Sequence, residues 1–129
     1  MSEAVAKYAD FAVLTSDNPR GEAPQSIIDD AVGGLIENKI PYVTEVDRRK
    51  AIKMALDMLQ YNDILILCGK GHEDYQVLDK ITLYLDEHQI VEVYMKKRNE
   101  KYIGKNLSVT AFKRYCNTYG RLCCVFCCG

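Results

Sequence analysis

Apolar residues in the first 98 positions follow two patterns that alternate along the chain. "FAVLTS" is a short continuous apolar run, typical of a strand covered on both faces, and "PYVTEV" and "DILILCG" are predicted to be the second and third strands. The last has the clearest pattern of a buried strand. A later stretch, "YQVLDKITLYL", divides into two short strands around a polar Asp-Lys pair, which predicts an antiparallel arrangement.

Segments with helical spacing of apolar residues separate these runs. Pro24 suits the first position of one helix and Asn38 its end, while Asp47 and Asp86 are predicted N-caps of two others. A short opening helix is expected to face inward with Val5, Tyr8 and Ala9. The inward residues expected in the helix after Pro24 are Ile27, Ile28, Ala31, Val32, Leu35 and Ile36.

This order of elements predicts the fold class. Strands that alternate with helices favour an α/β domain with a parallel sheet and right-handed crossovers. We therefore predict a Rossmann-like three-layer sandwich with a mostly parallel sheet and an antiparallel strand pair near Tyr75–Leu85.

The pattern changes after Arg98. Residues 99–105 are polar and linker-like, and 106–129 contain a predicted helix, "LSVTAFKRYCNTYG", and a predicted strand, "RLCCVFCC". Five of the six cysteines lie in the last fourteen residues, whereas a disulfide scaffold would distribute them through the fold. We interpret them as small buried hydrophobes, with metal or redox chemistry at the CxxC spacing as the alternative.

Composition narrows the function classes. The 129 residues have a formal net charge of -1, which gives no basic field for nucleic acid or a membrane surface. Apolar runs all fall short of the roughly 18–20 residues of a membrane-spanning helix, and no secretory signal is evident. We expect one cytoplasmic domain that binds neither nucleic acid nor membrane.

Two polar clusters directly follow predicted strands. "SDNPR" comes after the first strand and "GKGHEDY" after the third. Because ligands of open parallel sheets bind beyond the carboxyl ends of the strands, we expect both clusters on one rim. The residues expected to converge there are Asp17, Asn18, Arg20, Gly69, Lys70, His72 and Glu73.

The side-chain types in these clusters suit a small zwitterion. Arg20 can hold a carboxylate through two parallel hydrogen bonds, and Asp17 and Glu73 can accept from ammonium groups. Asn18 can donate and accept at once. Pro19 stiffens the segment, so that less entropy is lost on binding.

Each cluster also has a plainer interpretation. Asp-Asn-Pro after a strand is a common turn, and "GKGHE" lacks the G-x-x-x-x-G-K-[ST] spacing of a phosphate-binding loop. Lys70 could attract a phosphate, and His72 is more often a hydrogen-bonded structural residue than a ligand or base. Arg48, Arg49 and Lys50 are expected to form a solvated helix start, although their charge opposes the helix dipole.

Three stretches together, "LTSDNPRGEAPQSIIDDAVGGL", "EVDRRKAI" and "DILILCGKGHEDYQV", resemble the C-terminal domain of the Mur ligases over about residues 1–98. The resemblance is to the branch that adds meso-diaminopimelate to UDP-N-acetylmuramoyl-L-alanyl-D-glutamate. It implies the amino-acid-binding domain of an ATP-dependent amide-bond ligase of peptidoglycan synthesis. The residues that it assigns to diaminopimelate are Asp17, Asn18, Pro19, Arg20, Gly69 and Glu73.

The resemblance also implies a reason for Arg20. This arginine would pair with the distal carboxylate of diaminopimelate, which lysine lacks. A buried charged donor left unpaired costs on the order of a few kcal/mol, and the lysine-adding relatives lack this arginine.

Other parts of the family pattern do not appear. The family binds ATP and Mg²⁺ in a central domain and the UDP-sugar in an N-terminal domain, and neither occurs here. We therefore assign no catalytic residue and no metal ligand, and we expect no catalysis from this chain alone. The strand and glycine-rich loop that begin the family's domain are absent before residue 1, whereas 106–129 resemble its first helix and strand. A circular permutation or a rearranged gene fragment would both produce the order of segments seen here.

Three interpretations of the function remain open at this point. The chain could be the amino-acid-binding domain of a split or truncated ligase. The chain could alternatively be a non-catalytic binding or interaction module that retains the scaffold. An unrelated Rossmann-like nucleotide enzyme would need a glycine-rich turn after its first strand, which "SDNPRG" does not provide.

Overall fold

A computed structural model describes residues 2–16, 23–60, 63–69, 73–78, 80–101 and 122–128. Helices and strands alternate as far as the third strand, which is followed by two further strands before the last helix. The elements are α1 (Ser2–Tyr8), β1 (Phe11–Ser16), α2 (Pro24–Glu37), β2 (Tyr42–Glu45), α3 (Arg48–Met58), β3 (Ile64–Cys68), β4 (Tyr75–Leu78), β5 (Ile81–Tyr84), α4 (Glu87–Lys101) and β6 (Leu122–Cys128).

A parallel sheet with the strand order β2-β1-β6-β3 forms the centre of the domain. β6 lies between β1 and β3, and Cys123 is paired with Phe11 on one side and with Leu65 on the other. β4 and β5 form a separate antiparallel pair. The predicted α/β architecture, with a mostly parallel sheet and an antiparallel pair, is confirmed.

Two hydrophobic cores cover the two faces of the sheet. Successive residues of a strand point to opposite faces, so Val13 of β1 lies in one core while Ala12 and Leu14 lie in the other. The core around Val13 includes Ile52 of α3 and Ile90 of α4. The opposite core is closed by α1 and α2. This arrangement gives the three layers that the sequence predicts.

The predicted helix boundaries also occur in the structure. α2 begins at Pro24, and Asn38 ends it, with the side-chain amide donating to the carbonyl four residues earlier at 2.8 Å. Asp47 and Asp86 each accept a hydrogen bond at 3.2 Å from the backbone amide three residues later. Both aspartates therefore cap the helices that follow them.

Three residues that were expected to be buried are exposed. Tyr8 is 68% exposed and Ile36 59%, because Val5 and Ala6 take the inward positions of α1 and other residues take those of α2. Ile66 of β3 is 39% exposed. β3 lies at the edge of the sheet and α2 packs mainly on β1 and β6, so one face of β3 is poorly covered. β3, whose sequence has the clearest pattern of a buried strand, is therefore buried at Leu65 but exposed at Ile66.

The strand predicted from "RLCCVFCC" is confirmed as β6. Cys123, Cys124 and Val125 are at most 5% exposed, which confirms the interpretation of these two cysteines as small buried hydrophobes. The helix predicted from "LSVTAFKRYCNTYG" lies outside the described residues. α4 continues to Lys101, and the division into 1–98, 99–105 and 106–129 stays a prediction.

Candidate functional site

β1 and β3 have their carboxyl ends on the same side of the sheet, which we call the rim. Both run parallel to β6 and flank it, with Ser16 paired to Cys128 and Cys68 paired to Phe126. Neighbouring strands lie about 4.8 Å apart, so roughly 10 Å separates the two strand ends. The polar clusters that follow β1 and β3 therefore begin on one rim, with a single strand between them.

The structure describes only part of the predicted site. Gly69 and Glu73, which follow β3, belong to the described residues. The predicted site residues that lie outside them are Asp17, Asn18, Pro19, Arg20, Lys70 and His72. The convergence of the two clusters around a ligand accordingly stays a prediction.

Gly69 turns the chain away from the end of β3. Its φ of 107° lies in a region that side chains with a Cβ rarely adopt, so this position requires glycine. Glu73 is half-buried, and the carbonyl of the next residue, Asp74, accepts a hydrogen bond from the Leu85 amide at 2.8 Å. Gly69 and Glu73, the two predicted ligand contacts of the second cluster, thus adjoin fixed backbone.

The end of β1 consists of buried hydroxyl residues. Thr15 is fully buried and Ser16 is 2% exposed, and the Thr15 hydroxyl donates to the Val46 carbonyl at 3.5 Å. Val46 follows β2, so this contact joins the carboxyl ends of two neighbouring strands. The backbone that leads into the "DNPR" segment begins from a closely packed position.

Arg48 differs from the solvated helix start that was expected. Its side chain is completely buried, and Nε forms an ion pair with Glu87 Oε1 at 2.5 Å. Nη2 donates to the Cys68 carbonyl at 2.8 Å, and Nη1 has no hydrogen-bond partner among the described residues. Arg49 and its neighbour Lys50 are exposed, as expected. The prediction was therefore wrong for the first of the three cations.

One sequence signal pointed to a special role for Arg48. A cation in the first turn of a helix faces the positive end of the helix dipole, which is unfavourable on a solvated surface. The structure supplies the compensation, because the carboxylate of Glu87 and the carbonyl of Cys68 surround the guanidinium. The opposed helix dipole can be recognised in the sequence, but the pairing of Arg48 with the distant Glu87 cannot.

Cys68 and Cys124 lie side by side beneath the rim as thiols that form no disulfide. Their sulfur atoms are 3.6 Å apart, and burial, with a smaller contribution from Cys68, raises the pKa of Cys124 to about 12. A thiol that stays protonated at neutral pH is a poor nucleophile and a poor metal ligand. Within the described ranges no group of histidine, cysteine and acidic side chains could hold a metal ion, and no helix could span a membrane.

Comparison with known proteins decides the family. The sequence profile described as "Mur ligase, glutamate ligase domain" matches residues 1–71, more than half of the chain. The chain belongs to the Mur ligase family. The match includes β1, α3 and β3, and therefore both strand ends at the rim.

Curated Mur ligases resemble this chain over a similar region. The UDP-N-acetylmuramoyl-L-alanyl-D-glutamate--2,6-diaminopimelate ligase of Caldanaerobacter subterraneus is 48% identical over 92 residues, which are 71% of this chain and 19% of that protein. The protein of the same name from Aquifex aeolicus is 46% identical over 92 residues, again 71% and 19%. Ligase 1 of that name from Clostridium acetobutylicum is 44% identical over 97 residues, or 75% and 20%. The chain spans about a fifth of the length of these relatives.

Proposed function

We propose that this chain is the amino-acid-binding C-terminal domain of an ATP-dependent ligase that adds meso-diaminopimelate to UDP-N-acetylmuramoyl-L-alanyl-D-glutamate. The proposal rests chiefly on the relatives described above, all of which are named as diaminopimelate ligases. The "DNPR" segment supports it, because an arginine beside an aspartate and an asparagine suits an amino acid with a second carboxylate.

The topology of the sheet supports the same proposal. The segments after β1 and β3 start on one rim, about two strand spacings apart. Diaminopimelate has a charged amino-acid group at each end of a short methylene chain, so two separate polar segments could each contact one end. We assign Arg20 to the distal carboxylate and the segment of Gly69 and Glu73 to the other contacts.

The share of this chain in the reaction is binding and orientation. An amine held in line with its reaction partner reacts far faster than one that diffuses freely, since the entropy of alignment is lost on binding. ATP and Mg²⁺ are assigned to the other domains of a full-length ligase, because this sequence has no G-x-x-x-x-G-K-[ST] segment. We propose a cytoplasmic location with the rest of the ligase.

Calorimetric titration with meso-diaminopimelate and with L-lysine tests the proposal. The unchanged chain should bind diaminopimelate more tightly than lysine, and Arg20→Ala should weaken diaminopimelate binding ~10–100-fold, the effect of losing one charge-assisted contact. Lysine binding should change little. Arg49→Ala, which removes an exposed arginine on α3, is the matched control.

Two results would contradict the proposal. Equal affinity for the two ligands would remove the assigned role of Arg20. No measurable binding of either ligand to a folded chain would favour the alternative of a module that retains only the scaffold.

A further inference from the structure

We propose that Arg48 and Glu87 form a clamp that fixes the positions of Gly69 and Glu73 relative to each other. Arg48 is a positioning residue in this inference, which rests on the proposed function because Gly69 and Glu73 are its proposed ligand contacts. The clamp acts from below the rim, through buried backbone and side-chain contacts, and needs no contact between Arg48 and the ligand.

The first point of the clamp lies at Gly69. Arg48 Nη2 donates to the carbonyl of Cys68 at 2.8 Å, on the residue immediately before Gly69. A hydrogen bond to a carbonyl fixes the orientation of that peptide unit, and Gly69 then turns the chain with a φ of 107°. The orientation of the peptide unit that joins Cys68 to Gly69 is therefore set from α3.

The second point lies at Glu73. The carbonyl of Asp74, the next residue, accepts a hydrogen bond from the Leu85 amide at 2.8 Å, and the Leu85 side chain is buried in the core at 5% exposure. Two residues further along the chain, Glu87 pairs with Arg48. One guanidinium thus connects the backbone before Gly69 with the segment that holds the backbone after Glu73.

The energetics favour positioning over stabilisation as the role of this pair. Two charges lose their hydration when they are buried, and replacing such a pair with apolar side chains is often neutral or even stabilising. Nη1 of Arg48 also has no hydrogen-bond partner within the described parts of the chain, which adds to the cost. A pair that contributes little net stability can still define one geometry.

A fixed spacing of Gly69 and Glu73 has a consequence for binding. Bringing two contact residues into their bound positions costs conformational entropy, and residues that already hold these positions before the ligand arrives do not incur this cost on binding. The clamp should accordingly raise the affinity for diaminopimelate through preorganisation. The affinity for lysine should change by the same factor, because lysine differs from diaminopimelate only in lacking the carboxylate assigned to Arg20. The contacts with Gly69 and Glu73 are common to both ligands.

The double variant Arg48→Met with Glu87→Leu separates positioning from stability. It replaces both charges with apolar side chains, so the thermal midpoint should stay near that of the unchanged chain. The affinity for meso-diaminopimelate should fall ~10-fold at a temperature where both proteins are folded. Lys53→Met, which removes an exposed charge from the same helix, should change neither.

The amide NMR signals of Gly69 and Glu73, recorded without ligand, complete the test. Both should shift in the double variant and stay in place in Lys53→Met. Unchanged signals together with unchanged affinity would overturn the clamp. If the unchanged chain binds no diaminopimelate, the proposed function fails, while the shift of the two signals still decides whether Arg48 and Glu87 fix this geometry.

Discussion

The two strand ends at the rim are supported in different ways. β1 is an inner strand with β2 and β6 on either side, and its end is formed by the buried hydroxyl residues Thr15 and Ser16. Among the strands that the structure describes, β3 lies at the edge of the sheet and pairs with β6 alone. The Cys68 carbonyl at its end accepts a hydrogen bond from Arg48, which reaches it from α3.

This difference shows how the end of an edge strand can be held in place as firmly as the end of an inner strand. An inner strand is held by hydrogen bonds on both sides, whereas an edge strand leaves one side of its backbone unpaired. A buried guanidinium supplies β3 with an additional fixed point. The three predictions below test the contrast, beginning with the residue whose loss should cost most.

Glu87→Ala should have the largest effect on stability. It leaves the fully buried charge of Arg48 without its carboxylate, and loss of one member of a buried ion pair costs about 3–5 kcal/mol. Urea unfolding followed by circular dichroism measures the change. Glu92→Ala, at an exposed position of the same helix, is the control and should stay within about 0.5 kcal/mol. A loss below 1 kcal/mol for Glu87→Ala would show that the pair is not buried in solution.

Gly69→Ala should have an intermediate effect. A Cβ at a φ of 107° introduces backbone strain of roughly 1–3 kcal/mol, next to the carbonyl that Arg48 holds. Gly33→Ala is the matched comparison, because Gly33 lies inside α2 with open space around the position of a Cβ. It should stabilise the chain by about 0.5–1 kcal/mol. Equal effects of the two substitutions would contradict the turn described after β3.

Thr15→Val should have the smallest effect. It conserves the shape of the side chain and removes only the hydroxyl contact to the Val46 carbonyl, which is long at 3.5 Å. The loss should be about 0.5–1 kcal/mol in the same unfolding experiment, since the strand ladders on both sides of β1 remain. If Thr15→Val lowered the free energy of unfolding more than Gly69→Ala, the end of the inner strand would depend more on a single residue than the end of the edge strand, contrary to our expectation.

Structural features that depend on residues close together in the sequence were predictable. The apolar runs gave the strands, and Asp47 and Asp86 identified helix starts because a cap acts on an amide only three residues away. The prediction of a strand from "RLCCVFCC" is likewise confirmed as β6. Its position between β1 and β3 depends on the order of strands, which local patterns do not contain.

Features that depend on distant residues were missed. Burial of Arg48 requires Glu87, thirty-nine positions away, and nothing near either residue shows that they meet. Exposure of Ile66 follows from the edge position of β3, which is a property of the whole sheet. Within the candidate site, the residue types were readable from the sequence, whereas the contacts that hold Gly69 and Glu73 were not.

The central place of β6 has a consequence for how the chain reaches its native state. β6 follows both of its neighbours in the chain, and its register joins Phe11 to Cys123. Contacts between residues so far apart in sequence slow folding, because the entropy of closing a large loop is lost before the contact can stabilise the chain. On the ribosome, β1 and β3 would emerge without the strand that separates them, so we expect the sheet to be completed only after β6 has been synthesised.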